Sequence, residues 1–232
     1  MNPALENCLR SCPEGGSVLD LGCLGFHQVS NAQALRRVSL KHFGVDRVVP
    51  YSEIPPGFVF KRADLDCEPV PFGDDLFDLV VASHIIEHLR DPIGFVAECI
   101  RVCKPGGRLY LEAPSERATL LPSMPFGYEL FCSLSYFDDP THISRPWTPQ
   151  ALFRLARYYS CEPLEARHIV SWKHRFLLPL LLLYALVTRD AVRLEHWCWQ
   201  AVGWSCCLVA RKPEDLNGKP ALRYYIPSRG PA

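Results

Sequence analysis

The feature that most constrains this chain is a repeated alternation in its first 115 residues. Short apolar runs give way to helical or turn-rich stretches, and several of the runs end on an acid. SVLDLG (17–22), HFGVD (42–46), FVFKRADL (58–65) and FDLVVASH (77–84) read as strands. The last is continuous and apolar, as a parallel strand covered on both faces must be. Between them NAQALRRVSLKH (31–42) reads as a helix. Asp91-Pro92 is an N-cap followed by proline at the first helical position, and it predicts a helix to about Cys103. Lys104-Pro105-Gly106-Gly107 stops that helix, and RLYLEAP (108–114) follows as a strand. Strands alternating with helices predict an α/β fold on a parallel sheet with right-handed crossovers. The rhythm fails from Ser115 to about Trp147, a Pro-, Phe- and Tyr-rich region that reads as irregular. Thr148-Pro149 caps a further helix to about Tyr159. CEPLEARHIV (161–170) and GWSCCLVARKP (203–213) read as two late strands, and the tail from Asn217 as loose.

Composition narrows the class. At 232 residues the chain is long enough for one large domain with a well-buried core. A formal net charge of zero supplies no bulk attraction to nucleic acid. Eleven cysteines form no CxxC pair, which points to buried free thiols in a reducing cytoplasm rather than a zinc site or a disulfide framework. The N-terminus shows no basic segment followed by an apolar run, so no signal peptide is expected. One segment departs from the soluble pattern. Phe176 to Val187 (FLLPLLLLYALV) is too short to span a bilayer, which needs about 20 residues. It reads as a packing helix, with a helix lying on a membrane surface or lining an apolar pocket as its rivals.

In an open parallel sheet, ligands bind beyond the carboxyl ends of the strands. Asp20, Gly22, Asp46, Asp64, Ser83 and His84 all stand at such ends and should meet in one crevice. Three acids there, with no lysine or arginine in the glycine turn, disfavour a phosphate cradle. Neither G-x-x-x-x-G-K-[ST] nor G-x-G-x-x-G is present. A cofactor with hydroxyls, an amine and a positive centre fits better. VLDLGC, FGVD, ADLDCEPVPFGDDLFDLVVASHIIEHLRDP and VCKPGGRLYLEAPS together resemble the class I S-adenosylmethionine-dependent methyltransferases, most nearly the bacterial small-molecule branch with the ubiquinone-type O-methyltransferases. DDPTHISRPWTPQALFRLA (138–156) is also similar to a segment of many such enzymes.

The resemblance implies a Rossmann-like, doubly wound, seven-stranded and mostly parallel sheet in the order 3-2-1-4-5-7-6. GWSCCLVARKP is then its one antiparallel strand. Residues 1–216 are expected to form a single domain, with 115–147 and 171–200 on the acceptor side. The cofactor implied is S-adenosyl-L-methionine, held by Asp20, Gly22, Gly25, Asp46, Asp64, Leu65, Ser83 and His84. Asp46 would accept from the ribose hydroxyls and Asp64 from the adenine amine. The family loop is usually G-x-G-x-G, whereas this chain has Gly22-Cys23-Leu24-Gly25-Phe26, so side chains stand where glycines usually do. A degenerate, non-catalytic binding module is therefore one alternative, and a dinucleotide-dependent oxidoreductase another. His84, Glu87 and His88 are expected to be structural, with no metal. His142 is the expected general base. Phe126, Tyr128, Phe131, Tyr136, Phe137 and Trp147 suggest a lid for a small-molecule acceptor with an apolar part, lipid-linked precursors included, methylated at oxygen. The expected location is the cytoplasm, with membrane-surface contact through 176–187 as an option.

Overall fold

The computed structural model describes residues 1–122 and 134–214. Its elements run α1 (Pro3–Ser11), β1 (Ser17–Leu21), α2 (His27–Ala34), β2 (Lys41–Asp46), β3 (Val59–Arg62), β4 (Phe77–Ser83), α3 (Pro92–Val102), β5 (Cys103–Pro114), α4 (Pro149–Tyr158), β6 (Glu162–His168), α5 (Trp172–Thr188), α6 (Ala191–Val202) and β7 (Ser205–Arg211). The seven strands form one sheet in the order β3-β2-β1-β4-β5-β7-β6. The first five pair in parallel, and β7 runs antiparallel to both of its neighbours. The expected Rossmann-like order and its single reversed strand are both present.

Alternation along the central strands sends side chains to two layers. Leu19, Leu21, Val80, Ala82, Leu109 and Leu111 face α3 and α4, where Phe95, Val96, Cys99, Leu152 and Leu155 cover them. Val18, Leu79, Val81, Tyr110 and Val209 face the other way, beneath Leu5, Cys8 and Leu9 of α1 and Ala32 of α2. Both faces of β4 are thus dry, which explains its unbroken apolar run.

Several boundaries differ from the sequence reading. The first helix after β1 occupies 27–34 rather than 31–42, because Arg36 adopts a left-handed φ of 58° and ends it. β5 begins at Cys103, so the Lys104–Gly107 turn lies inside the strand as an irregularity opposite Phe77 and Leu79. α1, unforeseen, is capped by Asn2 with Pro3 at its first position. The two proline-led helices read from the sequence, α3 and α4, do start where their caps place them: Asp91 accepts from Gly94 N, and Thr148 from Ala151 N. The ten described cysteines are free, and Cys67 alone among them is exposed.

Candidate active site

A crevice of about 660 Å³ opens beyond the carboxyl ends of β1 to β4. Gly22, Leu24, Asp46, Asp64, Leu65 and His84 form one part of its lining, and His88, Pro140, Thr141 and Ile143 another. Gly22 holds φ at +79°, and a Cβ there would meet Ile85 Cδ1 at 2.3 Å. The left-handed backbone makes the position a glycine one, and any Cβ would also have to displace the end of the Ile85 side chain. Asp46 accepts from Val48 N at 3.0 Å and Asp64 from Asp66 N at 3.1 Å. These local turns pin both carboxylates at the mouth of their strands. No ammonium or guanidinium stands in the glycine turn itself; Asp46, Asp64 and Asp66 line the crevice together with Arg47 and with Arg90, which pairs with Asp66 at 3.3 Å, so the strand ends offer carboxylate acceptors for hydroxyls and an amine.

Asp20, Gly25 and Ser83 are not among the lining residues. Asp20 is buried behind the loop. Burial raises its carboxyl to about 8, with a hydrogen bond from Gln28 opposing the rise and the charge of Asp46 adding to it. Ser83 closes β4, and Gly25 lies against the His27 ring. Phe26, where the family loop has glycine, takes a left-handed backbone (φ 48°) and turns its ring onto Phe58 at 4.9 Å. It is therefore absent from the crevice wall, whereas Leu24 is part of it.

The SHIIEH stretch does not form a helix with His84 and His88 on one face. His84 has φ 55°, a strained value for a residue with a Cβ, and a short 3₁₀ turn over Ile86–His88 follows. The kink places the His84 ring between two carboxylates, with Nδ1 3.2 Å from Glu87 and Nε2 3.4 Å from Glu112. Withdrawal from water lowers its pKa, but the bonds and charges of Glu112 and Glu87 outweigh that and hold it up at about 10. Glu112 in turn accepts from the Tyr110 hydroxyl, which accepts from Asn2 Nδ2 at 2.9 Å. Nothing in the local sequence of either residue signals that Glu112 faces His84; their strands meet only in the sheet.

His142 stands behind the crevice wall, its side chain 7% exposed. Its ring stacks on Tyr136 at 4.5 Å and lies 5.0 Å from the His88 ring. Nδ1 of His142 contacts the Tyr136 carbonyl at 2.7 Å, and Nδ1 of His88 the Thr141 carbonyl at 3.1 Å. When both rings are neutral, each Nε2 is therefore left as an acceptor. Ligand atoms of Glu87, His88 and His142 come within 4.8 Å of one another, and Glu87 Oε2 is buried without a hydrogen-bond partner. Such a trio of acceptors is satisfied by a proton or by a cation. The segment carrying His142 is clipped to the SHIIEH turn: Ile143 N and Ser144 N both donate to the Glu87 carbonyl at 3.0 Å. Of the expected lid aromatics, Tyr136 and Trp147 are buried and Phe137 is exposed. Phe126, Tyr128 and Phe131 lie outside the described residues.

A doubly wound sheet with one reversed strand, and a crevice with strand-end carboxylates beyond its parallel strands, defines a Rossmann-like fold suited to a nucleoside cofactor. Residues 19–111 match the family described as a methyltransferase domain. A ubiquinone biosynthesis O-methyltransferase of Cereibacter sphaeroides is 23% identical over 188 residues, covering 76% of this chain and 70% of that protein. Two solved structures share the fold. An Archaeoglobus fulgidus SAM-dependent methyltransferase superposes with a TM-score of 0.59 at 17% identity, over 90% of each chain. A Haemonchus contortus phosphoethanolamine N-methyltransferase, bound to S-adenosyl-L-methionine, gives 0.63 at 16% identity, over 91% of this chain and 52% of that one. The chain thus carries, over residues 19–111, a methyltransferase domain of the class I S-adenosylmethionine-dependent type, with S-adenosyl-L-methionine as its cofactor.

Proposed function

We propose that this enzyme methylates a hydroxyl of a small-molecule acceptor, in a cytoplasmic setting. The observation that carries the reading is one crevice lined both by strand-end carboxylates and by His88 and Thr141. The likeness to an O-methyltransferase supports oxygen as the atom methylated. On the cofactor side, Gly22 admits the methionine part, Asp46 accepts from the ribose hydroxyls, and Asp64 with Leu65 borders the adenine. Asp20, Gly25, Ser83 and His84 support this wall from behind or at its rim. When bound, S-adenosyl-L-methionine supplies an activated methyl, so positioning the acceptor in line does most of the remaining work.

The acceptor proton is assigned to the His88–His142 pair. His88 reaches the crevice, and His142 stands behind it with its Nδ1 fixed by the Tyr136 carbonyl. Ile143, Leu24 and Ile85 give the crevice an apolar side, which suits an acceptor with an apolar part. The test is calorimetry with S-adenosylhomocysteine, followed by acceptor screening with a methyl-labelled donor. Label transferred to a hydroxyl is the expected result. Transfer only to amines would overturn the assignment to oxygen.

A further inference from the structure

The α5–α6 hairpin carries a surface that the site does not use. α5 buries one stripe, with Leu178, Leu182 and Ala185 packing around Leu194 and Cys198 of α6. Its opposite side is apolar as well. Phe176 is 79% exposed, Val187 76%, Leu180 65% and Leu183 61%, with Trp172 beside them. At roughly 100° per residue these five side chains fall within one stripe, about a quarter of the helix circumference. A contiguous apolar stripe of this kind is uncommon on a face that meets only water.

Charge is distributed around the stripe in one sense. α5 contains no acidic residue. Lys173 and Arg175 stand in its first turn, and Arg189 and Arg193 follow its last. Across Trp172–Arg193 the one acid is Asp190, which is paired with Arg193 at 3.1 Å. The whole chain has zero net charge, so this collar is a local excess of cations. No helix among the described residues is long and apolar enough to cross a membrane, and α5 carries Pro179 within it. A helix of 17 residues with an apolar stripe and cations at both ends fits the plane of a lipid headgroup layer, its stripe among the acyl chains and its basic side chains reaching phosphates.

We infer that the outer face of α5 docks this enzyme onto an anionic phospholipid surface. The hairpin is linked to the active site by ring contacts. Trp199 of α6 stacks on Trp204 at 4.4 Å, and Trp204 lies 5.9 Å from His84 and 6.5 Å from His142. Docking through α5 therefore brings the membrane to a hairpin whose ring contacts reach His84 and His142. The docking itself is independent of which atom is methylated, and S-adenosylhomocysteine affinity reports on the methyltransferase reading separately.

The experiment is cosedimentation of the full chain with vesicles of phosphatidylcholine alone, or of phosphatidylcholine with phosphatidylglycerol. Binding at least tenfold stronger to the anionic vesicles is expected, declining as salt rises. The double variant Leu180→Glu with Leu183→Glu should lose at least tenfold in vesicle binding, while its melting temperature and S-adenosylhomocysteine affinity stay those of the wild type. Vesicle binding unchanged in that variant would overturn the assignment. So would wild-type protein that ignores anionic vesicles but forms a dimer the variant cannot, because the stripe would then be covered by a second copy of the chain.

Discussion

Individual side chains in the crevice carry separable expectations. Asp46 ends β2 with its carboxylate pinned toward the crevice, so Asp46→Ala should weaken S-adenosylhomocysteine binding by about 1–3 kcal/mol in titration calorimetry. His84 makes a prediction about pH. Its pKa in the folded protein is about 10 against an ordinary 6.5, so it binds its proton more tightly when folded. The stabilisation is full below the ordinary value and is lost as pH rises through the folded one. Urea unfolding should show His84→Gln less stable than wild type by about 1–3 kcal/mol near pH 6.5, after discounting for a ring 40% exposed, with the gap closing toward pH 10. His142→Ala should lower turnover by about 10²–10⁴ with cofactor affinity intact. A chelator should leave activity unchanged; loss restored by a divalent ion would instead place a metal among Glu87, His88 and His142.

At the scale of elements, the β1–α2 loop shows how a departure from a family pattern is absorbed. Phe26 accepts a left-handed backbone, a cost of about 1–2 kcal/mol, and offsets it by burying its ring against Phe58. Phe26→Gly relieves the strain but removes the ring, whose loss costs about 3–5 kcal/mol, so a net destabilisation of about 2 kcal/mol is expected by urea titration. Cofactor affinity should change by less than about threefold, because the ring is not in the crevice wall. Leu24, which is, should behave differently: affinity should shift in Leu24→Gly, and its direction reports whether Leu24 crowds or supports the cofactor.

At the scale of the molecule, the sheet is closed by contacts between residues distant in sequence. Lys212, just past β7, is buried and donates to Asp75 at 2.6 Å and to the Ile100 and Cys103 carbonyls at 2.8 Å each. All three ammonium protons are thereby satisfied, and the end of the chain's last strand is fastened to the α3–β5 junction. Lys212→Met leaves those carbonyls without their donor and should cost about 2–3 kcal/mol, measured as a lower unfolding midpoint with an unchanged denaturant slope.

The sequence by itself determined the alternation of strands and helices and the ends at which ligands gather, while the strand order followed from the family resemblance and is the one the sheet has. Its periodicity fixes which faces must be dry, its proline caps fix where α3 and α4 start, and its strand-terminal acids Asp46 and Asp64 need only the parallel sheet to converge. Local pattern could not place α2, because the backbone of Arg36 rather than an apolar period ends that helix. Nor could it separate His84 from the His88–His142 pair. That division depends on Glu112, which arrives from the neighbouring strand, and on the 140–144 segment clipped to the Glu87 carbonyl. Only the tertiary structure decided these, because hydrogen bonds between residues far apart in the chain leave no period and no spacing for a sequence to display.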